Sequence, residues 1–293
     1  MTFQIRAGLA SSNNSDYSEL TGERCPPVLS SVGAPLGGHD EGSIPVFARW
    51  FGSWQISLRR RTMSRSELIR NYDRASRGWN RTLDRFGVPD AYETLLRKAL
   101  SDSFVADIGE GFRVLDCGIG TGALSRALSH ALPHSFRLDA VDISPRMLER
   151  ADENLRDRNL SVILRDCDVR DLPYQDGTFD LVMSAHMLEH FVDPTVALRE
   201  MVRVLKPGGF LIVCLTNRSP MGAYVHLRWR THRVTTAQAE SWLTETGLEE
   251  AYCLKFDKHA FCRQLSIACI GRKPSNDGRT RTCVAAPIGS SGE

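Results

Sequence analysis

The 293-residue chain lacks any apolar run of the roughly 18 to 20 residues that a membrane-spanning helix needs, and its mean hydropathy is −0.26. It also lacks a marked surplus of either charge. The 37 Lys and Arg residues face 35 Asp and Glu residues, which gives a formal net charge of +2. Nucleic-acid-binding proteins usually carry a clear cationic excess. We therefore expect no stable insertion into a membrane and no nucleic-acid partner.

Closely spaced cysteine pairs are missing as well. The eight cysteines lie far apart and form no C-x-x-C pair, so the pattern predicts neither a zinc site nor an iron–sulfur cluster. Several of them, such as Cys214, lie in apolar strand-like runs, where a free cysteine behaves as a small hydrophobic residue. We expect reduced thiols, no bound metal and a cytoplasmic location.

The composition divides the chain into three parts. Residues 1–62 contain 9 Ser, 7 Gly and 4 Pro, about a third of this stretch, which predicts a mostly disordered extension. This stretch has no secretory signature, and a helix start follows Met63. We expect the working protein to begin there, as one domain over residues 63–273. The Gly- and Ser-rich residues 274–293 are predicted to be a flexible tail.

The order of hydrophobic segments indicates an α/β fold. Two helices are predicted from residue 66 to about 102, around a break at Gly87-Val88-Pro89. Strand-like and helix-like segments then alternate over residues 112–215, a pattern that predicts a parallel sheet with helices on both faces. Two later apolar runs, residues 251–256 and 265–270, predict a closing hairpin.

A glycine-rich motif follows the first of these strands. Residues 114–123 read Val-Leu-Asp-Cys-Gly-Ile-Gly-Thr-Gly-Ala, a strand with an acid, Asp116, then three alternating glycines and a helix start. Asp142 ends the next strand 22 residues after Gly120, near the spacing at which an acid binds a ribose diol. Asp168 follows the third strand and is expected at the same rim, although alone it also suits a turn or a helix cap.

The glycine spacing leaves more than one nucleotide ligand open. Gly118, Gly120 and Ala123 also satisfy the dinucleotide fingerprint, so an NAD(P)-dependent oxidoreductase and a non-catalytic cofactor-binding module are alternatives. Asp116 favours a positively charged ligand, because a carboxylate repels a diphosphate and attracts an ammonium or sulfonium group.

Several motifs together resemble the class I S-adenosylmethionine-dependent methyltransferases, especially the small-molecule branch of ubiquinone and menaquinone C-methyltransferases. The resemblance covers about residues 72–273. It implies a Rossmann-like, doubly wound seven-stranded sheet with its last strand antiparallel, and S-adenosyl-L-methionine as the cofactor that methylates an O, N or C atom of a small molecule. The segments that carry it are 114–122, 141–145, 168–173, 179–182 and 205–209.

The resemblance also implies which residues bind the cofactor. The glycine turn would surround the methionine part, Asp142 would bind the ribose, Ile143 would pack on the adenine, and Asp168 with Val169 would meet the adenine edge. A helix carrying Tyr72 and Trp79 on one face would cover the cofactor as a lid, with core packing as the alternative. The full set is Tyr72, Asp116, Cys117, Gly118, Gly120, Gly122, Asp142, Ile143, Asp168, Val169 and Ser184.

Two histidines after the fourth strand are candidates for a catalytic base. His186 and His190 carry imidazoles, which titrate near neutral pH, although His190 also suits a packing or capping role. The same stretch reads H-x-x-E-H, a zinc-peptidase signature that needs a helix, whereas this motif starts at a strand end. Residues 228–233, the densest basic and aromatic segment, are predicted to contact an anionic acceptor or membrane headgroups, or to form a solvated loop.

Overall fold

The computed structural model describes residues 2–7, 43–51, 53–100, 111–156, 160–217, 219–231 and 234–275. They fall into two compact units, Met1–Ser64 and Arg65–Glu293. No helix in these ranges is long and apolar enough to cross a bilayer.

The amino-terminal unit contains three antiparallel strands, β1 (Thr2–Ala7), β2 (Ser43–Phe51) and β3 (Trp54–Arg61), in the order β1-β3-β2. These strands lie within residues 1–62, for which the composition predicts mostly disorder, and that prediction stays untested for the stretch as a whole. In β3, apolar and polar residues alternate as they do in a strand. The average composition of residues 1–62 does not reveal this alternation. Residues 8–42 lie outside the described residues.

The carboxy-terminal unit alternates strands and helices, as the sequence predicts. The two helices expected before the sheet are present, and the break between them is Gly87, whose φ of +66° starts the second helix. The elements are α1 (Arg65–Arg85), α2 (Val88–Ala99), β4 (Arg113–Cys117), α3 (Ala123–Ala131), β5 (Arg137–Asp142), α4 (Pro145–Leu155), β6 (Ser161–Asp166), β7 (Phe179–Ala185), α5 (Thr195–Val204), β8 (Leu205–Thr216), α6 (Pro220–Trp229), α7 (Thr236–Glu245), β9 (Glu249–Lys255), α8 (Ala260–Leu265) and β10 (Ser266–Arg272).

Seven strands form one sheet in the order β6-β5-β4-β7-β8-β10-β9. The β4–β5, β5–β6, β4–β7 and β7–β8 pairs are parallel, whereas β10 is antiparallel to both β8 and β9. This confirms the seven-stranded sheet with a reversed last strand. The predicted hairpin is also present, but α8 lies in its connection, which is therefore longer than expected.

The sheet is buried on both faces because consecutive residues of its central strands point to opposite sides. Val114 packs into the cluster that contains α2 and α3, and its neighbour Leu115 packs into the cluster that contains α5 and α7. Both are 0% exposed. Helices therefore cover the two faces, which leaves the carboxyl ends of the parallel strands as the edge where polar groups collect.

Two cysteines contradict the expectation of reduced thiols. Cys253 of β9 and Cys269 of β10 are directly opposite in the antiparallel register and form a disulfide. The sequence placed both in the predicted hairpin, but a separation of 16 residues carries no pairing signal by itself. Disulfides are uncommon in reducing compartments, so the cytoplasmic location stays a prediction. Among the cysteines that the structure describes, Cys117, Cys167, Cys214 and Cys262 are free thiols.

Candidate functional site

The glycine-rich turn joins β4 to α3 at the carboxyl edge of the sheet. Gly118, Gly120 and Gly122 all have left-handed backbones, with φ of +73°, +55° and +83°. A Cβ on Gly118 would lie 2.8 Å from the Met187 side chain. The amides of Gly118 and Ile119 both donate to the carbonyl of Val141, at 2.8 and 3.1 Å. These two bonds fix the turn to the end of β5. The left-handed backbone and the close approach of Met187 both require glycine at position 118.

Asp142 occupies the end of β5, beside this turn. Its carboxylate accepts the Gly120 amide at 2.8 Å and the Ser144 amide at 2.9 Å, one on each oxygen. Burial raises the pKa of Asp142 to about 6, although hydrogen bonds from backbone amides act to lower it. Each carboxylate oxygen keeps further lone-pair capacity. The group can therefore accept the two hydroxyls of a ribose without losing its bonds to the turn.

Asp116 lies deeper than the sequence-based role suggests. The residue is 1% exposed and accepts a hydrogen bond from Ser125 of α3 at 2.6 Å. Burial raises its pKa to about 7, although the Ser125 bond acts in the opposite direction. The visible role of Asp116 is to fasten α3 to β4 beneath the glycine turn, and its contact with the methionine part of a cofactor stays a prediction.

Replacing Ser125 by Ala should lower the free energy of unfolding by about 1 to 3 kcal/mol, because it leaves the buried Asp116 carboxyl without its donor. Urea unfolding at pH 8 measures this loss. The matched control is Ser129→Ala in the same helix, whose hydroxyl donates only to the local Arg126 carbonyl. An equal loss in both variants would contradict the importance of the Asp116 bond.

Asp168 lies after β6, held by its own loop. The Arg170 backbone amide and guanidinium both donate to its carboxylate, at 2.9 to 3.0 Å. Burial acts to raise the pKa of Asp168, but the hydrogen bonds and charge of Arg170 outweigh it and leave the pKa below its ordinary value. Asp168 therefore stays ionised and partly exposed at the rim, while the neighbouring Val169 is buried.

Two other predicted cofactor residues are bonded to each other. The Ser184 hydroxyl on β7 donates to the Cys117 carbonyl on β4 at 2.7 Å, and both residues are buried. This bond joins the two central strands directly under the glycine turn. Burial also raises the pKa of the Cys117 thiol well above its ordinary value, so the thiol is not reactive. Ile143 lies half-buried next to Asp142.

An aromatic cluster lies between α1, α6 and the loop after β7. We define it as Tyr72, Trp79, Trp229 and His190. The Tyr72 ring stacks on Trp229 at 4.9 Å between centroids, with an angle of 19° between the ring planes. Trp79 meets both rings edge-on, at 6.4 and 5.4 Å. The Tyr72 hydroxyl lies 2.7 Å from His190 Nε2. The two helix-borne aromatics predicted to share a face therefore do meet.

His186 is held away from this cluster. It has a left-handed backbone, with φ of +55°, and its Nδ1 lies 3.0 Å from the Thr216 hydroxyl. Its Nε2 lies 3.3 Å from the Ser266 hydroxyl. Both ring nitrogens are thus engaged by β8 and β10. His186 precedes the 3-10 turn that contains His190, so the two histidines do not share the α-helix that the zinc-peptidase signature requires.

Sequence reasoning missed Glu189 in this loop. Glu189 is 1% exposed and accepts the Thr216 amide at 2.5 Å. Burial acts to raise the pKa of Glu189, but the hydrogen bond and charge of His186 outweigh it and lower the pKa to about 2. The Glu189–His186 pair and the Thr216 bond hold the loop that carries His190.

No group of three or more His, Cys, Asp or Glu side chains in the described part of the chain is arranged to hold a metal.

Sequence reasoning also missed how α1 and α6 are held in place. The Ser144 hydroxyl donates to Asp73 of α1 at 2.6 Å, next to Asp142. Helix α6 includes the first two residues of the predicted basic segment, with Ser219 as its cap and Pro220 at its start. Ser219 followed by Pro220 is the sequence pattern that could have predicted the start of α6. Trp229 at the end of α6 faces Tyr72, whereas residues 232–233 of the basic segment lie outside the described residues.

Comparison with known proteins shows which family part of the chain resembles. Residues 115–213 match the family described as "Methyltransferase domain". The chain is 38% identical over 111 residues to a ubiquinone biosynthesis O-methyltransferase of Xanthomonas oryzae, covering 38% of this chain and 45% of that protein. It is 39% identical over 105 residues to a ubiquinone/menaquinone biosynthesis C-methyltransferase of Cellvibrio japonicus, covering 35% and 42%. The chain thus matches less than half the length of either relative.

A solved structure has the same fold. The putative methyltransferase bound to the Trm112 activator from Haloferax volcanii superposes with a TM-score of 0.54 at 20% identity, over 69% of this chain and 97% of that one. The sheet order with its reversed last strand and the glycine turn beside Asp142 agree with this likeness. Over residues 115–213 the chain is similar to methyltransferase domains, and it resembles the class I S-adenosylmethionine-dependent methyltransferases that include the ubiquinone and menaquinone enzymes.

Proposed function

We propose that the protein binds S-adenosyl-L-methionine at the carboxyl edge of its sheet and moves the methyl group to an O, N or C atom of a small-molecule acceptor. The observation that carries the proposal is the Asp142 carboxylate, held between the amides of Gly120 and Ser144 at the mouth of a left-handed glycine turn. The donor set fits the cofactor, because a buried carboxylate with spare lone pairs suits a ribose diol.

When bound, the cofactor supplies a methyl group that its sulfonium already activates. The protein then has to orient the acceptor and exclude water, and orientation alone is worth roughly 7 to 11 kcal/mol of a barrier. The aromatic cluster fits both tasks. Its stacked Tyr72 and Trp229 rings join α1 to α6, and aromatic faces attract cations. We place the acceptor and the methyl group beside this cluster.

His190 is our proposed base for acceptors that lose a proton on methylation. Burial, followed by the charges of Asp142 and Glu189, raises the pKa of Tyr72 well above its ordinary range, so its hydroxyl stays protonated. Tyr72 therefore fixes the His190 ring through one hydrogen bond instead of acting as a base itself. His190 would take the proton that such an acceptor loses when its bond to the methyl carbon forms and the bond from that carbon to the donor sulfur breaks.

Replacing Tyr72 by Ala should weaken binding of S-adenosylmethionine at least tenfold, because it removes the ring that stacks on Trp229 and closes α1 over the site. Replacing Tyr72 by Phe keeps the ring and removes only the hydroxyl bonded to His190, so affinity should stay within about twofold. Calorimetric titration distinguishes the two variants. Unchanged affinity in Tyr72→Ala would remove Tyr72 from the cofactor site.

The acceptor class follows from the relatives. Because the matched proteins are named as ubiquinone and menaquinone methyltransferases, we propose an aromatic acceptor of the quinone-precursor type, whose flat ring would pack on the aromatic cluster. Cell extract incubated with the protein and methyl-labelled cofactor, followed by mass spectrometry, would identify the labelled product. Parallel calorimetry against S-adenosylmethionine and NAD(P)H decides between methyl transfer and a nicotinamide-dependent reaction. Binding of the former without any labelled product would favour a non-catalytic module.

A further inference from the structure

A pocket lies where α1 meets the start of α4. Its volume is about 370 Å³, and it is lined by Arg70, Asp73, Arg74, Arg77 and Arg146. Four positive charges thus surround one negative charge. Nothing in the proposed transfer reaction uses these arginines.

The spacing of the α1 arginines explains why they converge. Arg70, Arg74 and Arg77 are separated by four and three residues, which places them on one helix face. Arginines at such spacing repel one another and weaken a helix unless an anion lies between them. The arrangement therefore costs stability in the free protein.

The protein supplies little to neutralise these charges. In the described part of the chain, no ion pair or hydrogen bond engages the guanidinium of Arg70, Arg74, Arg77 or Arg146. Asp73 lies in the pocket, but one of its oxygens already accepts the Ser144 hydroxyl. The arginines are exposed, so an external anion can reach them.

Helix α4 adds to the attraction. Ser144 caps its first turn, and Arg146 lies within that turn. The start of a helix carries a partial positive charge, which favours an anion. The pocket thus combines a helix start with four unpaired guanidinium groups, each of which can bind an oxyanion through two parallel hydrogen bonds.

We propose that this arginine pocket binds a phosphate-bearing ligand at a site separate from the methyl-donor site. A phosphoryl group carries about −1.5 to −2 charge at neutral pH, whereas a carboxylate carries a single charge, so a phosphate or diphosphate matches the surplus better. The Asp73–Ser144 hydrogen bond joins the pocket to the strand end that holds Asp142. A ligand bound there would lie beside the donor site without occupying it.

Calorimetric titration with inorganic pyrophosphate tests the proposal on the full chain. We expect saturable binding that the double variant Arg74→Gln with Arg146→Gln weakens at least tenfold, whereas sodium acetate at the same concentration gives no saturable heat. The matched control is Arg85→Gln with Arg263→Gln, which removes the same charge from exposed positions outside the pocket. The control should bind pyrophosphate as the wild type does, and circular dichroism confirms that both variants are folded.

Three results would overturn the proposal: no saturable binding to the wild type, equal loss in the pocket and control variants, or displacement of pyrophosphate by S-adenosylmethionine. The last would mean that the arginines serve the methyl donor. Co-sedimentation with phosphatidylcholine vesicles containing phosphatidic acid separates a lipid headgroup from a free phosphate ester as the source of the ligand. Pyrophosphate is titrated both without and with S-adenosylmethionine. A loss of phosphate binding by the arginine pocket can therefore be distinguished from a loss of S-adenosylmethionine binding.

Discussion

The Asp142→Asn variant should bind S-adenosylmethionine about 10- to 100-fold more weakly than the wild type. A hydrogen bond to a charged group contributes about 1.5 to 3 kcal/mol, and a ribose diol donates two such bonds to the ionised carboxylate. The amide has only one acceptor oxygen and also faces the donor amides of Gly120 and Ser144. Isothermal titration at pH 7.5 measures the change.

Asp152→Asn is the matched control, since Asp152 is an exposed carboxylate of α4 paired with Arg156. The pH dependence gives a second readout of the same role. Because the pKa of Asp142 is about 6, wild-type affinity should fall as the pH is lowered from 7.5 to 5, whereas the Asn variant should lack this component. A folded Asp142→Asn protein with wild-type affinity would show that Asp142 does not bind the ribose.

The Asp116→Asn variant should become more stable relative to the wild type as pH rises. The pKa of Asp116 is about 7 in the folded protein and near its ordinary value of 3.8 in the unfolded chain. The folded state therefore binds the proton more tightly. Its stabilising contribution is complete below about pH 4 and is lost as pH rises through 7. At roughly 1.4 kcal/mol per pKa unit, this amounts to about 4 kcal/mol.

Urea unfolding of both proteins from pH 4 to pH 8, without any ligand, measures this difference. The asparagine does not ionise, so any fixed packing cost is the same at every pH and cancels when the two ends of the range are compared. Asp171→Asn, an exposed substitution, serves as the control and should run parallel to the wild type. A stability difference between Asp116→Asn and wild type that does not change with pH would mean that Asp116 is not the titrating group.

These two carboxylates show how far local sequence could predict the site. The glycine turn and Asp142 lie within one strand, one turn and the next strand, so backbone requirements specify them over about thirty residues. The spacing predicted that Asp142 binds the ribose, which stays a prediction, and the Gly120–Asp142 hydrogen bond joins this acid to the turn. Spacing could not predict that Asp116 would point into the core and bond to Ser125, because the direction of a strand residue depends on which face its neighbours cover.

The aromatic cluster and the disulfide are features that local sequence could not predict. Tyr72 and Trp229 are 157 positions apart and meet only because α1 and α6 both pack at the same end of the sheet. Likewise Cys253 and Cys269 become neighbours through strand register. Neither pairing has a local backbone signature, and the sequence pattern around Trp229 also suits a solvated loop.

The sequence by itself determined the alternating α/β architecture, the glycine turn and the acid that ends the neighbouring strand, because these depend on hydrophobic period and backbone geometry within short segments. Only the tertiary structure decided which carboxylates are buried, that His190 bonds to Tyr72 whereas His186 is held by β8 and β10, and where unpaired arginines converge. Those outcomes depend on contacts between segments far apart in the chain, which become neighbours when the strands pair and the helices cover the sheet.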